Sequence, residues 1–142
     1  MATYVKLFPF VEHLAEGVHN FSSDSTCTPT IALTTNAEIP ATSDAVLADI
    51  TPISYTNLSA RVVTVTSSAQ TSGTYKLVLV DLVLTASGAV ATFRHVVLYN
   101  DDPTSPADPL ICYWDYGGDV TLASTETFTI DFDASNGVFQ IA

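Results

Sequence analysis

Carboxylates are the side chains best placed to do chemistry in this sequence. The stretch LYNDDPTSPADPLICYWDYGGD, residues 98–119, holds five of the fifteen acidic residues, three of the seven prolines and the single tryptophan. Acids beside aromatics suit a glycosidase, which needs two carboxyls held roughly 5–9.5 Å apart, one with a raised pKa. Asp115, between Trp114 and Tyr116, is the natural candidate for one of them. Hard oxygen ligands also suit calcium. An EF-hand, however, needs carboxylates at alternate positions, a central glycine and a closing glutamate, and residues 101–109 have none of that register. Weak calcium binding by this loop is the one metal reading left open. Loop grammar explains the same residues without chemistry. Asp102 precedes Pro103 and Asp108 precedes Pro109, and a residue before proline is pushed to an extended or turn backbone. On that reading Trp114 anchors one face of a strand and Asp115 points to water.

Other reactive types lack a pattern. His13 and His19 lie six apart in a segment read as helical, a spacing that separates their faces, and neither belongs to a zinc motif. His95 sits in a strand beside Arg94, where solvent or a local hydrogen bond satisfies it. No serine occupies a nucleophile elbow. Cys112, between Ile111 and Tyr113, reads as a small core residue. Tyr116-Gly117-Gly118 reads as a turn, not a phosphate loop, so no catalytic residue, metal ligand or cofactor site is assigned. Cys27 and Cys112 have no motif spacing and are expected as two reduced thiols.

The elements that must carry these residues are strands. Twenty threonines, thirteen serines and a charged content of 13% make a surface built from hydroxyls, and β-branched residues favour a pleated surface. A length of 142 residues suits one domain, 1–142, with a core of its own. The formal charge is −11, with Lys6, Lys76, Arg61 and Arg94 the only cations. Four scattered cations cannot neutralise a run of phosphates, which argues against nucleic acid and against an anionic membrane surface. No stretch reaches the roughly 20 apolar residues of a membrane span. The opening MATYVKLFPFVEHLAEG lacks the layout of a secretory signal.

Within the N-terminal segment 1–21, Phe10, Leu14 and Val18 recur every four residues with Val11 and Phe21 beside them. The spacing predicts an amphipathic helix of about three turns after Pro9, weakened in its middle by Gly17. Residues 20–28 read as a loop. Strands occupy 28–142: TPTIALTTN with Ile31 and Leu33 on one face, AVLADI stopped by Pro52, RVVTVTSS, a long GTYKLVLVDLVLTASG expected to be central, AVATFRHVVLYN returning as its hairpin partner through Ser87-Gly88, a short PLICYWDYGG, and a C-terminal hairpin, 125–142, turning at Asn136-Gly137. The expected fold is all-β: an antiparallel two-sheet sandwich, jelly-roll-like, of about eight strands with one short N-terminal helix.

As a set, KLFPFVEHLAEGVHNF, IALTTNA, VLADIT, GTYKLVLVDLVLTASG, FRHVVLYND, PLICYWDYG and TFTIDFDASNGVFQIA resemble, in this order and over nearly the whole chain, a group of small structural proteins of tailed-bacteriophage virions. The resemblance implies a non-enzymatic cement or decoration protein on the capsid surface, assembled in the host cytoplasm. Its partners would be the major capsid protein and further copies of itself, as a dimer or trimer. It implies no catalytic residue. Tail-, collar- or fibre-associated placement is the structural alternative, and a carbohydrate-binding module using Tyr113, Trp114 and Tyr116 is the alternative of another class. Strand alternation puts Tyr113 and Trp114 on opposite faces, which speaks against a shared sugar platform. Contact residues are expected in YVKLFPF (Tyr4, Leu7, Phe8), by packing or strand addition, and in the loop tip (Asp101, Asp102). The competing expectation is that Leu7, Phe8 and Phe10 close the domain's own core.

Overall fold

A computed structural model of the chain describes residues 2–22 and 27–142, so part of the loop expected over 20–28 lies outside the described residues. Among the described residues are nine strands and one α-helix: β1 (Thr3–Lys6), α1 (Phe8–Ala15), β2 (Pro29–Thr34), β3 (Val65–Thr71), β4 (Thr74–Leu79), β5 (Leu82–Thr85), β6 (Phe93–Asn100), β7 (Leu110–Val120), β8 (Thr127–Ile130) and β9 (Phe139–Ile141). All the pairings are antiparallel. They form a four-stranded sheet, β1-β7-β6-β2, a three-stranded sheet, β3-β4-β9, and a two-stranded sheet, β5-β8. The fold is an all-β sandwich, as the composition predicts.

The four-stranded sheet is covered on both faces, which is why β2 and nearly all of β6 are buried throughout. One face sends Ile31, Leu33, Val96 and Leu98 into the main core, against Leu77, Leu84, Ile130 and Phe139 from the smaller sheets. The other sends Ala32, Val97, Tyr99 and Tyr113 against Leu7 and Ile50. Strand alternation separates the two sets. The β6–β7 register shifts at two places, one of them a bulge at the start of β7, where Leu98 pairs with Cys112 but Tyr99 pairs with Leu110. The extra residue, Ile111, packs in the same core as Cys112.

Several local expectations are corrected. The helix has eight residues, not three turns, because Gly17 terminates it. At φ +76° Gly17 lets its own N–H reach Leu14 O (3.3 Å) and Val18 N–H reach His13 O (2.8 Å), the Schellman arrangement for which glycine is preferred. AVLADI is not a strand. It makes a 3₁₀ turn, Leu47–Asp49, because the Asp49 carboxylate accepts the N–H groups of Ala45 (2.8 Å) and Val46 (3.1 Å). In RVVTVTSS the strand proper starts at Val65, while Val63 is buried just ahead of it.

The apolar run GTYKLVLVDLVLTASG is two strands in two sheets, broken where Val80 is exposed and the Asp81 carboxylate accepts Phe132 N–H (2.9 Å). β4 therefore pairs with β3 and β9, and β5 with β8, while β6 pairs with β2 and β7 instead of returning as a hairpin. PLICYWDYGG belongs to the longest strand, the eleven-residue β7. The turn at Asn136-Gly137 is real, but the strands flanking it pair elsewhere, β8 with β5 and β9 with β4, so no C-terminal hairpin forms. Asp133 builds that turn by accepting the N–H groups of Ser135 and Asn136, both at 2.8 Å. A Cβ on Gly137 would stand 2.4 Å from Leu77 O, and its φ is +74°.

Candidate functional site

The acidic stretch divides along the fold. Residues 101–109 connect β6 to β7, and the loop is tied down by its backbone: Asp101 N–H to Thr28 O (3.0 Å), Leu47 N–H to Asp108 O (3.0 Å) and Leu110 N–H to Ala45 O (2.9 Å). Burial, and then a hydrogen bond and repulsion from Asp101, push the Asp108 carboxyl above its usual range. Among the described residues no group of three or more His, Cys, Asp or Glu side chains could hold a metal ion.

Asp115 is not simply solvated. Arg94, next to His95, the cross-strand partner of Asp115 on β6, grips the carboxylate bidentately, with Nε–Oδ1 at 2.8 Å and an Nη2 contact to Oδ2 at 3.1 Å. Gly117 N–H donates to the same Oδ1 at 2.8 Å, inside a wide bulge in which Phe93 pairs with Val120 but His95 with Asp115. The arginine first, and this N–H second, hold the carboxyl down at about 2. A glycosidase acid needs the opposite shift. We predict that Arg94→Gln lets the Asp115 carboxyl rise from about 2 toward the usual value near 3.8, as read by carbon-detected NMR titration. An unmoved titration would refute the pairing as the cause.

The histidines behave differently from their spacing. Because α1 stops at Ala15 and the chain reverses at Gly17, His19 folds back until its ring lies 6.0 Å from that of His13. It stacks on Phe21 (5.3 Å, 7° between planes) and stands edge-on to Phe10 (5.2 Å). His19 is 5% exposed, and neither ring nitrogen has a hydrogen-bond partner among the described residues. Burial, and then His13, lower its pKa to about 4. His95 is buried, its Nδ1 within 3.0 Å of Thr35 O and 3.3 Å of the Thr34 hydroxyl, so the local hydrogen bond satisfies it. The two cysteines are not bridged: Cys27 Sγ contacts Asn100 Oδ1 at 3.6 Å, and Cys112 is wholly buried. Burial, with Asp102 adding to it, pushes the Cys27 thiol up to about 12, and burial raises Cys112 as well.

Of the expected contact residues, Leu7 is corrected. It is fully buried at the end of β1, its N–H bonded to Ile111 O (3.3 Å), and it fills the second core, a burial that contributes about 1.5–3 kcal/mol. Phe8, one residue on, is 66% exposed, and its N–H is held by Thr42 O at 2.8 Å. Tyr4 is partly exposed on the sheet's edge strand. Asp101 and Asp102 are exposed. Phe8 lies at the end of the sheet where β7 begins, the end that the 101–109 loop also reaches. Tyr4 lies farther along β1, opposite Trp114.

The concave feature near these residues was not expected from the sequence. Trp114 stands edge-on between Tyr4 (5.7 Å) and Phe132 (5.8 Å), and hollows of about 190 and 260 Å³ flank it. Tyr116 and Phe128, edge-to-face at 5.4 Å, line the smaller hollow, and Asp131 lines both. Strand alternation does put Trp114 and Tyr116 on one face, two residues apart. Tyr113 lies on the other face in the second core, as expected. No family model matches the chain, and neither a curated protein nor a solved structure is significantly similar to it.

Proposed function

We propose that this chain is a non-enzymatic structural protein of a tailed-phage virion, a cement or decoration protein that binds the outer surface of the capsid shell. The observation that carries the reading, beside the resemblance of its sequence stretches, is the N-terminal surface. β1 is an edge strand whose outer side has no ladder partner among the described residues, and it leads into the exposed ring of Phe8. A sheet edge offers backbone hydrogen bonds to a partner strand, and an exposed aromatic supplies an anchor. The acidic loop 101–109 at the same end adds a charged rim, and a net charge of −11 keeps copies apart before assembly. Assembly in the host cytoplasm and self-association as a dimer or trimer complete the reading.

The test is stoichiometry. Quantitative mass spectrometry of purified particles should find the chain in hundreds of copies per head, on the scale of the shell protein, and labelled particles should carry it on the capsid. A few copies located at the tail or collar would overturn the cement assignment in favour of a tail, collar or fibre position. Phe8→Asp should abolish rebinding to undecorated heads while changing stability by no more than about 0.5 kcal/mol, because the ring is exposed. Unchanged rebinding would remove Phe8 from the interface.

A further inference from the structure

We propose that the cleft around Trp114 binds lysine or arginine side chains carried on an extended basic segment of a partner protein. Two properties of the cleft point to this chemistry. Its walls are aromatic, and they are already held in place: Trp114 by Tyr4 and Phe132, Tyr116 by Phe128. Its charge is negative and unspent. Asp131 stands at the wall shared by the two hollows, is exposed, and makes no side-chain hydrogen bond or ion pair among the described residues.

The neighbouring acids are committed. Asp115 is gripped by Arg94, Asp133 by the N–H groups of its own turn, and Asp81 by Phe132 N–H. Among the described residues no lysine or arginine is at hand either. Arg94 is spent on Asp115 and Asn36, and Arg61 lies over the Tyr55 ring at 3.6 Å. Lys76 is bonded to Ser135 O, and Lys6 lines a different groove beside α1. Among the described residues no lysine or arginine lines either hollow. The complement to an aromatic wall with a carboxylate rim is a cation whose apolar stem lies against the rings. Its head then meets both the π face and the carboxylate.

The backbone geometry suits an extended ligand. Ala2 lines one hollow and Tyr4 the other, so both hollows open beside the sheet edge that β1 leaves unpaired. An incoming strand on that edge would project side chains toward the cleft while its main chain satisfies β1. The chain's charge of −11 attracts such a segment over long range. A sugar is the poorer occupant. The smaller hollow offers the side chains of Thr129 and Asp131, the Tyr116 hydroxyl and the Trp114 indole N–H as its polar groups, few for the many hydroxyls of a saccharide. The proposal does not depend on the virion assignment, since any partner with a basic extended segment would satisfy it.

Trp114 is the sole tryptophan, so its fluorescence reports the cleft directly. The full chain is titrated with an acetylated, amidated peptide alternating arginine and threonine. Controls are the same peptide with citrulline for arginine, and a mixture of oligosaccharides. Saturable change with the arginine peptide and none with citrulline is expected. Asp131→Asn should weaken binding about fivefold with its thermal melting unchanged, and Tyr116→Ala, which also loses its ring contact with Phe128, about threefold. Asp119→Asn, which removes an exposed acid outside both hollows, should bind as the parent does. Equal loss in Asp119→Asn and Asp131→Asn would reduce the effect to general charge attraction and overturn the proposal. So would unaltered binding in Asp131→Asn, or saturation by oligosaccharide without response to the arginine peptide.

Discussion

Phe10→Ala is expected to lower the unfolding free energy by about 3–5 kcal/mol, the range for truncating a buried phenylalanine. The ring is 2% exposed and bridges three parts of the chain. It is the buried residue of α1, it meets Phe139 of β9 edge-on at 5.0 Å, and it meets His19 of the reversed segment at 5.2 Å. β9 has three paired residues on β4, Phe139 to Ile141, so its hold depends on side-chain packing more than on its ladder. Loss of the ring should therefore release β9 ahead of the global transition. Urea titration gives the stability change, and hydrogen exchange should show lost protection at Phe139 to Ile141 before the amides of β6. The comparison is Phe8→Ala, two residues away on the same helix but 66% exposed, which should cost no more than about 0.5 kcal/mol. A Phe10→Ala variant within 1 kcal/mol of the parent would mean that the helix docks by other contacts.

The same residues show what a sequence can and cannot carry. Fold class was legible because it depends on composition and alternation: Phe128, Ile130 and Phe132 turn inward while Thr127, Thr129 and Asp131 stay wet, as a period of two requires. Strand partners were not legible. The apolar run from Thr74 to Thr85 looks like one strand because neither half carries a local sign of the sheet it joins. Only Asp81, bonded to Phe132 from across the chain, marks the crossing. Asn136-Gly137 was rightly a turn, yet a turn signal reports local φ and does not say which strands its flanks will find. Gly137 instead lies against the Leu77 carbonyl. Gly17 differs for a related reason, since a glycine within an amphipathic pattern reads as a weak interior and only its C′ hydrogen bonds mark it as the helix end. At the candidate site the alternation of Trp114 with Tyr116 was present in the sequence. Phe128, which arrives through the β5–β8 pairing, and Asp131, just past the end of β8, complete the cleft and carry no signal of that role in the sequence.

Acidification should remove a defined share of the stability, and His19 should account for it. In the folded chain its imidazole titrates at about 4, lowered by burial and by His13, whereas in the unfolded chain it returns to its ordinary value near 6.5. Between those two values the unfolded chain binds a proton that the folded chain refuses, so unfolding takes up protons and stability falls as pH falls. The loss begins near pH 6.5, amounts to about 2–3 kcal/mol by pH 4, and stops below that, where both states are protonated. The carboxyl of Asp115, held at about 2, works in a separate window: its contribution is intact above its ordinary value near 3.8 and is lost toward pH 2. Asp108, pushed upward, contributes with the opposite sign, stabilising less as pH rises, but does so equally in parent and variant. His19→Phe isolates the first window. Phenylalanine keeps the ring stacked on Phe21 and removes two ring nitrogens that have no partner among the described residues, so it should cost little at pH 7. Urea titrations of parent and variant should diverge progressively between pH 6.5 and 4 and then run parallel. If the two stability curves keep a constant separation across that interval, His19 is not the group that titrates, and the acid sensitivity has another origin.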